Sequence, residues 1–251
     1  MNKIKNKVAL VTGASKGIGA SIATHLAREG AKVVVNYASS KSDAEKVVNA
    51  ITKEGGTAMA IQGDVSIQAD IDRLFKETES AFGTLDILVN NAGVFEYLPI
   101  EELTEESFHK QFNINVLGSI LSIQKAVQFF GSKGGSIINI SSEASKLPLP
   151  TGSIYSASKA ALDAVTVSLS KEFSGRNIRI NSLLPGVVET HGSRNAGFIG
   201  SEVENDMISK TPLGRTGQPE DIAKVAVFLA SSDAHWINGQ KISVTGGIFG
   251  L

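Results

Sequence analysis

The sequence predicts an α/β fold: a single doubly wound domain on a seven-stranded, mainly parallel sheet with helices on both faces. Three observations carry this. Short runs rich in β-branched residues alternate with longer amphipathic stretches along the 251 residues. Most of those runs are near-continuously apolar, as suits strands covered on both faces. The first run passes through Thr12-Gly13-Ala14-Ser15-Lys16-Gly17-Ile18-Gly19 straight into a helical stretch. Strand, helix, strand repeated throughout implies parallel pairing through right-handed crossovers.

Strands are expected over Val8–Thr12, Lys32–Tyr37, Thr57–Gln62, Asp86–Asn90, Ser136–Ser141, Ile178–Leu184 and Lys241–Thr245. Helices are expected over Ile18–Glu29, Ser42–Glu54, Gln68–Phe82, Thr104–Phe129, Ser153–Phe173 and Glu220–Leu229. In the first of these, Ile22, Leu26 and Ala27 recur at helical spacing. No Pro/Ser-rich linker, low-complexity tract or repeat divides the chain, so residues 1–251 read as one domain. The segment Glu189–Gly214 is weakly patterned and rich in Gly and Ser. It follows the penultimate strand, where a long loop serves as a lid over a pocket at the C-terminal ends of the strands.

Composition excludes several functions. Lys and Arg total 24 against 25 Asp and Glu, for a net charge of −1, so a sequence-independent grip on nucleic acid is not expected. With no cysteine there is no disulfide, thiolate nucleophile or sulfur-ligated metal. The four histidines lack metal-ligand spacing, and no metal is expected; His25 and His109 read as solvent-facing helix positions. No apolar stretch reaches the ~18 residues of a membrane span, and the expectation is a soluble cytoplasmic protein. The sequon Asn139-Ile140-Ser141 sits in a run that reads as a buried strand and is taken as chance. Trp236 is expected to pack near the last strand, and the tail Ile248-Phe249-Gly250-Leu251 suits burial against another subunit.

Two groups of residues carry chemistry. Glycines 13, 17 and 19 permit a tight turn whose backbone N–H groups approach a pyrophosphate, helped by the helix N-terminus that follows. This is where a dinucleotide-binding turn belongs in an α/β chain. The second strand ends Val35-Asn36-Tyr37-Ala38-Ser39-Ser40-Lys41, and the first acid is Asp43. No carboxylate stands there to hold a ribose 2′-hydroxyl or repel a 2′-phosphate, which Lys16, Ser39, Ser40 and Lys41 could accept. These residues favour NADP(H), but Ala38 leaves no guanidinium at that point, so NAD(H) or dual use stays open. Separately, Tyr155 and Lys159 stand at i and i+4 of a predicted helix and share a face. A neighbouring ammonium is expected to lower a phenol's pKa from about 10, making an acid/base pair for an alcohol oxygen.

In order along the chain, these pieces resemble the short-chain dehydrogenase/reductases, a Rossmann-fold family of NAD(P)-dependent oxidoreductases. The likeness is greatest to the branch of 3-oxoacyl-acyl-carrier-protein reductases, glucose dehydrogenases and ketone reductases. Thr12-Gly13-x-x-x-Gly17-Ile18-Gly19 resembles the cofactor turn, with Ser15 and Lys16 inside it. Asp64-Val65 resembles the adenine-binding pair, with Tyr37, Ser39 and Ser40 flanking the ribose. Asn90-Asn91-Ala92-Gly93 resembles the motif closing the fourth strand, and Pro185-Gly186-Val187-Val188-Glu189-Thr190 the segment holding the nicotinamide carboxamide.

Asn115, Ser142, Tyr155 and Lys159 match the catalytic tetrad. The resemblance implies that Tyr155 exchanges a proton with the substrate oxygen while Lys159 lowers its pKa and binds the nicotinamide ribose. Ser142 would polarise the substrate oxygen, and Asn115 would hold a water linking Lys159 to solvent. The substrate pocket would draw on Phe95, Glu143, Leu147, Leu149, His191 and Phe198, with Val94, Glu96 and Tyr97 nearby. This largely apolar set favours a ketone or secondary alcohol, with sugars still open. A homotetramer is implied. A non-catalytic nucleotide-binding protein is the contrasting reading, and the complete tetrad argues against it. The chain departs from the family at Thr245, where relatives often carry Asp before two glycines.

Overall fold

The computed structural model describes residues 3–248. Seven strands form one sheet in the order β3-β2-β1-β4-β5-β6-β7: β1 Val8–Val11, β2 Lys32–Tyr37, β3 Thr57–Gln62, β4 Ile87–Asn90, β5 Gly135–Ile140, β6 Ile178–Pro185 and β7 Lys241–Val244. Every pairing is parallel. The chain starts in the middle, winds outward through β2 and β3, then returns to β4 on the other side of β1. The crevice at that reversal, beyond the C-terminal ends of β1 and β4, is where α/β sheets take their ligands.

The apolar runs are buried on both faces because neighbouring residues point to opposite sides. Val33 and Val35 enter a core with Ile22, Leu26, Ala223 and Ala226, from helices α1 (Gly17–Arg28) and α9 (Pro219–Ala230). Val34 enters the opposite core with Ile71, Leu74 and Phe75 of α3 (Gln68–Phe82) and Ile123 of α5 (Gly118–Phe129). Helix α2 (Lys41–Lys53) follows β2, and α6 (Ser153–Glu172) joins β5 to β6.

The stretch expected as one helix over 104–129 is interrupted. α4 (Glu105–Phe112) passes into a π turn over Asn113–Leu117 before α5, with the Gly118 N–H donating to the Asn113 carbonyl. Gly118 faces the backbone of Val65, and a Cβ there would lie 2.9 Å from the Val65 carbonyl oxygen. The weakly patterned segment after β6 holds two short helices, α7 (His191–Asn195) and α8 (Glu202–Lys210), each with a serine or threonine at its N-cap.

Two packing expectations are corrected. His25 does not face solvent: it is half-buried against α9, its Nδ1 2.8 Å from the Ser21 carbonyl oxygen and its Nε2 3.9 Å from Glu220. Trp236 does not pack and is 93% exposed, because Ala234 and Ile237 take the inward positions of that turn. His109 is exposed as expected, and the sequon residue Asn139 is fully buried in β5. Of the C-terminal tail, Phe249, Gly250 and Leu251 lie outside the described residues. Among the described residues no helix is long and apolar enough to cross a membrane.

A buried polar seam crosses the middle of the sheet. Asn90 of β4 donates to Asn139 of β5 (2.9 Å), Asn139 donates to Thr166 of α6 (2.8 Å), and Thr166 shares a hydrogen with Ser182 of β6 (2.8 Å). Each member is buried, so removing one strands its partners without water. Asn139→Ala is expected to cost about 2 kcal/mol of unfolding free energy. Urea denaturation measures it, and an unchanged midpoint would show that the seam contributes nothing.

Candidate active site

The glycine-rich turn is built by close approaches. Gly13 has φ +59°, and a Cβ there would sit 2.8 Å from the Ala92 Cα. At Gly19 a Cβ would fall 2.3 Å from the Asn91 amide nitrogen, which donates to the Thr12 and Gly13 carbonyls at 2.9 and 3.0 Å. The Thr12 hydroxyl accepts from the Asn91 and Ala92 N–H groups, both at 3.0 Å. Buried Asn36 accepts from the Gly13 N–H at 3.2 Å and donates to the Gly63 carbonyl at 3.0 Å. The turn is thereby tied to the ends of β2, β3 and β4.

At the start of α1 no side chain caps the helix and no acid stands in the first turn. Its free N–H donors and the positive end of its dipole suit an anion. A groove leads from there past Tyr37, Ser39 and Ser40 to Asp64, Val65 and Asn91-Ala92-Gly93, and Ser15, Lys16, Gly17 and Ile18 also line it. All of these were expected at the cofactor.

The charge at the far end of this groove is a correction. Asp43, in the first turn of α2, reaches back to Lys16 at 2.9 Å and also binds Lys46 at 2.9 Å. Hydrogen bonds from these two ammonium groups hold the Asp43 carboxyl down to about 2. Lys41 faces Glu45 at 3.8 Å. The region expected to be free of carboxylates therefore contains one, already holding the lysine expected to accept a 2′-phosphate.

A second cleft, of about 470 Å³, opens beside the groove and shares Ile18, Asn91, Gly93, Val94 and Thr190 with it. Phe95, Leu147, Leu149 and Phe198 line it as expected, together with Glu143, Pro185, Gly186 and Val188. His191 does not: it lies exposed on the groove side, 3.2 Å from the Asn195 amide, because α7 turns it away from the cleft. Glu96 lines neither space.

Ser142, Tyr155 and Lys159 all line the cleft, with Lys159 beside the shared Gly93. Lys159 is 5% exposed; its Nζ donates to the Ile140 carbonyl at 2.9 Å and lies 5.8 Å from the centre of the Tyr155 ring. Burial pushes the Tyr155 phenol up to about 12, with a hydrogen bond from Ser142 opposing. The expected lowering by Lys159 is not found. The rings of Tyr97 and Phe95 crowd the phenol at 5.9 and 6.2 Å, and the ammonium is turned toward a backbone carbonyl. Burial pushes Lys159 down to about 8, with the Asp163 carboxylate opposing. At neutral pH the site therefore holds a neutral phenol beside a mostly charged ammonium.

Asn115 is fully buried at the π turn. Its carboxamide accepts from the Val94 N–H (2.8 Å) and donates to the Val94 carbonyl (2.9 Å) and the Ser158 hydroxyl (3.0 Å). It clamps the loop after β4 to α6. A Cβ on Gly93 would lie 3.2 Å from the Asn115 Oδ1 and 3.4 Å from the Lys159 Nζ, so glycine keeps that space open.

Sequence reasoning missed the structural work of Thr12 and Asn36, and the cleft contributions of Val203 and Met207 from α8. A polar Asn36 at the end of Val33-Val34-Val35 was a usable signal, since a buried amide must find partners.

A family model described as enoyl-(acyl carrier protein) reductase matches residues 13–248. An uncharacterized oxidoreductase of Methylorubrum extorquens is 52% identical over 248 residues, covering 99% of this chain and 100% of the relative. Hydroxynaphthalene reductase-like protein Arp2 of Metarhizium majus is 40% identical, covering 97% of this chain and 95% of its own. A short chain dehydrogenase from Burkholderia cenocepacia, solved in complex with NADP, is 34% identical with a TM-score of 0.91, covering 98% of this chain and 99% of its own.

The buried Lys159 has a stability consequence. Its folded pKa of about 8 lies below the ordinary 10.5, so the unfolded chain binds more protons between those values and stability rises with pH across that window. Below pH 8 the full penalty, roughly 3 kcal/mol, is present. Lys159→Met is therefore expected to melt higher than the parent at pH 7, with the gain shrinking by pH 10.5. Thermal denaturation at the two pH values measures it; a variant that melts lower at pH 7 refutes the penalty.

Proposed function

The chain belongs to the short-chain dehydrogenase/reductase family of oxidoreductases, enzymes acting on CH–OH and C=O groups, and from that premise we propose that it is an NAD(P)H-dependent carbonyl reductase. Its substrate is a ketone, or in reverse a secondary alcohol. The observation that carries this reading is the gathering of Ser142, Tyr155 and Lys159 in an apolar cleft that shares part of its wall with a glycine-walled groove.

The residues fit a nicotinamide dinucleotide. The uncapped N-terminus of α1, with Gly13, Gly17 and Gly19, would hold the pyrophosphate. Tyr37, Ser39, Ser40, Asp64 and Val65 would hold the adenosine end, and Pro185, Gly186, Val188 and Thr190 the carboxamide end. Bound there, the cofactor supplies hydride chemistry that no side chain can.

The protein's own part is protonic. Ser142 donates to the substrate oxygen and orients it. Tyr155 gives its phenolic proton to that oxygen, and its neutral state at physiological pH suits the reductive direction. As the phenolate forms, the Lys159 ammonium offsets its charge. Asn115 shapes the route by which that proton is replaced from solvent.

Residues 189–214 act as a lid on the single Rossmann domain, with Val203 and Met207 of α8 forming the inner wall. The protein works in the cytoplasm as a homotetramer; exposed Phe108, Leu117 and Ile120 on α4 through α5, with Trp236 beside β7, supply apolar surface for the contacts.

NADP(H) is preferred, and the NADP-bound Burkholderia relative supports it. Asp43 weakens that preference by occupying Lys16. Asp43→Asn is expected to raise the NADPH-to-NADH ratio of kcat/KM by about tenfold, the scale of one charge-assisted contact. An unchanged ratio would remove Lys16 from cofactor selection. Tyr155→Phe is expected to lower kcat by about 10²–10⁴ and to leave cofactor affinity, read by fluorescence titration, in place. Near-normal turnover would show that another group donates the proton. The function itself is tested by absorbance at 340 nm over a ketone panel with both cofactors; no oxidation of either with any carbonyl would overturn it.

A further inference from the structure

We propose that Glu143 selects, among ketones, those that carry a hydrogen-bond donor on an otherwise apolar body; this rests on the carbonyl-reductase reading of the same cleft. Glu143 follows Ser142 directly and begins a 3-10 turn over Glu143–Ser145. It lines the cleft and is only 4% exposed, yet its Oε2 has no hydrogen-bond partner. The backbone carbonyl here is satisfied: it accepts from the N–H groups of Lys146 and Leu147 at 2.9 and 3.0 Å.

The surroundings make that vacancy consequential. Beyond the reacting residues, the lining includes Phe95, Tyr97, Leu149, Phe198 and Met207, which offer no donor except the Tyr97 phenol. A carboxylate accepts hydrogen bonds and, buried among apolar groups, is costly until a donor reaches it. A hydroxyl or ammonium on the substrate meets that need once the carboxylate turns an oxygen to the cleft, a soft rotation for a terminal carboxyl, whereas an ether or hydrocarbon of equal size leaves it unmet. A site built to bond a substrate donor rejects an analogue lacking it far more strongly than an apolar pocket rejects an extra methylene.

The turn is also held rigidly, so the acceptor sits at a fixed place relative to the reacting oxygen. The Ser142 hydroxyl accepts from the Ala144 N–H at 3.2 Å, and Ser145 donates to the buried Asp163 carboxylate of α6 at 2.6 Å. α6 is the helix that carries Tyr155, so the donor recognised by Glu143 is placed in the same frame as the carbonyl to be reduced.

The test compares matched aryl ketones: acetophenones with a hydroxyl, a methoxy or an aminomethyl group at the 2′, 3′ or 4′ position. The parent enzyme is expected to favour the hydroxyl or aminomethyl compound over its methoxy analogue by about tenfold or more in kcat/KM at one ring position. Glu143→Leu brings that ratio close to one. Glu143→Gln, which keeps an accepting oxygen, retains part of the hydroxyl preference and loses the aminomethyl one. Because the ratio is taken within each variant, a general loss of activity cancels. Calorimetric binding of the same ketones reads the preference without turnover. A parent ratio near one at every ring position overturns the proposal, as does a preference that survives in Glu143→Leu. If no ketone is reduced at all, the proposed function fails, and the binding comparison still decides whether Glu143 recognises the donor.

Discussion

The hydrogen-bonded seam Asn90–Asn139–Thr166–Ser182 is the constraint on which the rest of the site depends. Apolar packing alone would let α6 slide or roll on the sheet at small cost, because many register choices bury similar area. Four polar side chains that have no access to water favour the register in which each finds another of the four. That register delivers Lys159 to the Ile140 carbonyl and the Tyr155 ring to the mouth of the cleft. The contact of the Ser141 hydroxyl with the Lys159 carbonyl, at 3.3 Å, repeats the same restraint one strand-end further on.

Much of the architecture was legible because burial writes itself into composition. Val33-Val34-Val35 can be apolar throughout only if both faces of the strand are covered, and they are. Glycines 13 and 19 mark places where another backbone or side chain comes closer than a Cβ allows. Tyr155 and Lys159 were readable as a pair because helix geometry fixes which residues share a face. What escaped reading was set by contacts between distant segments. The Asp43–Lys16 pair joins α2 to the glycine turn, and no local pattern announces it. His191 was placed by how α7 turns after β6, and Trp236 by which of its neighbours claimed the inward positions. The Tyr155 phenol was misjudged because its crowding by Phe95 and Tyr97 depends on a loop folding back over α6.

Electrostatically the site holds groups away from their preferred states. A phenol is kept neutral by burial, an ammonium is kept although burial disfavours it, and a glutamate is left without a partner. The last two lower the stability of the resting protein; the phenol, neutral at pH 7 whether folded or unfolded, does not. Together they leave the cleft with unmet demands that a reacting oxygen and its neighbours can satisfy, which is how a family of oxidoreductases can keep one scaffold and vary what it accepts.

The π turn over Asn113–Leu117 fixes something besides the place of Asn115. It stores one surplus residue in what would otherwise be continuous helix. Losing any single residue there would let the segment close into regular α turns, leaving α4 and α5 facing as they do but drawing the bulged residues onto other faces. Asn115 would then point elsewhere, releasing Val94 and the loop that begins the cleft. Over these five positions the length of the chain is thus as much a determinant of the site as its chemistry, and an alignment gap here would mean more than several substitutions.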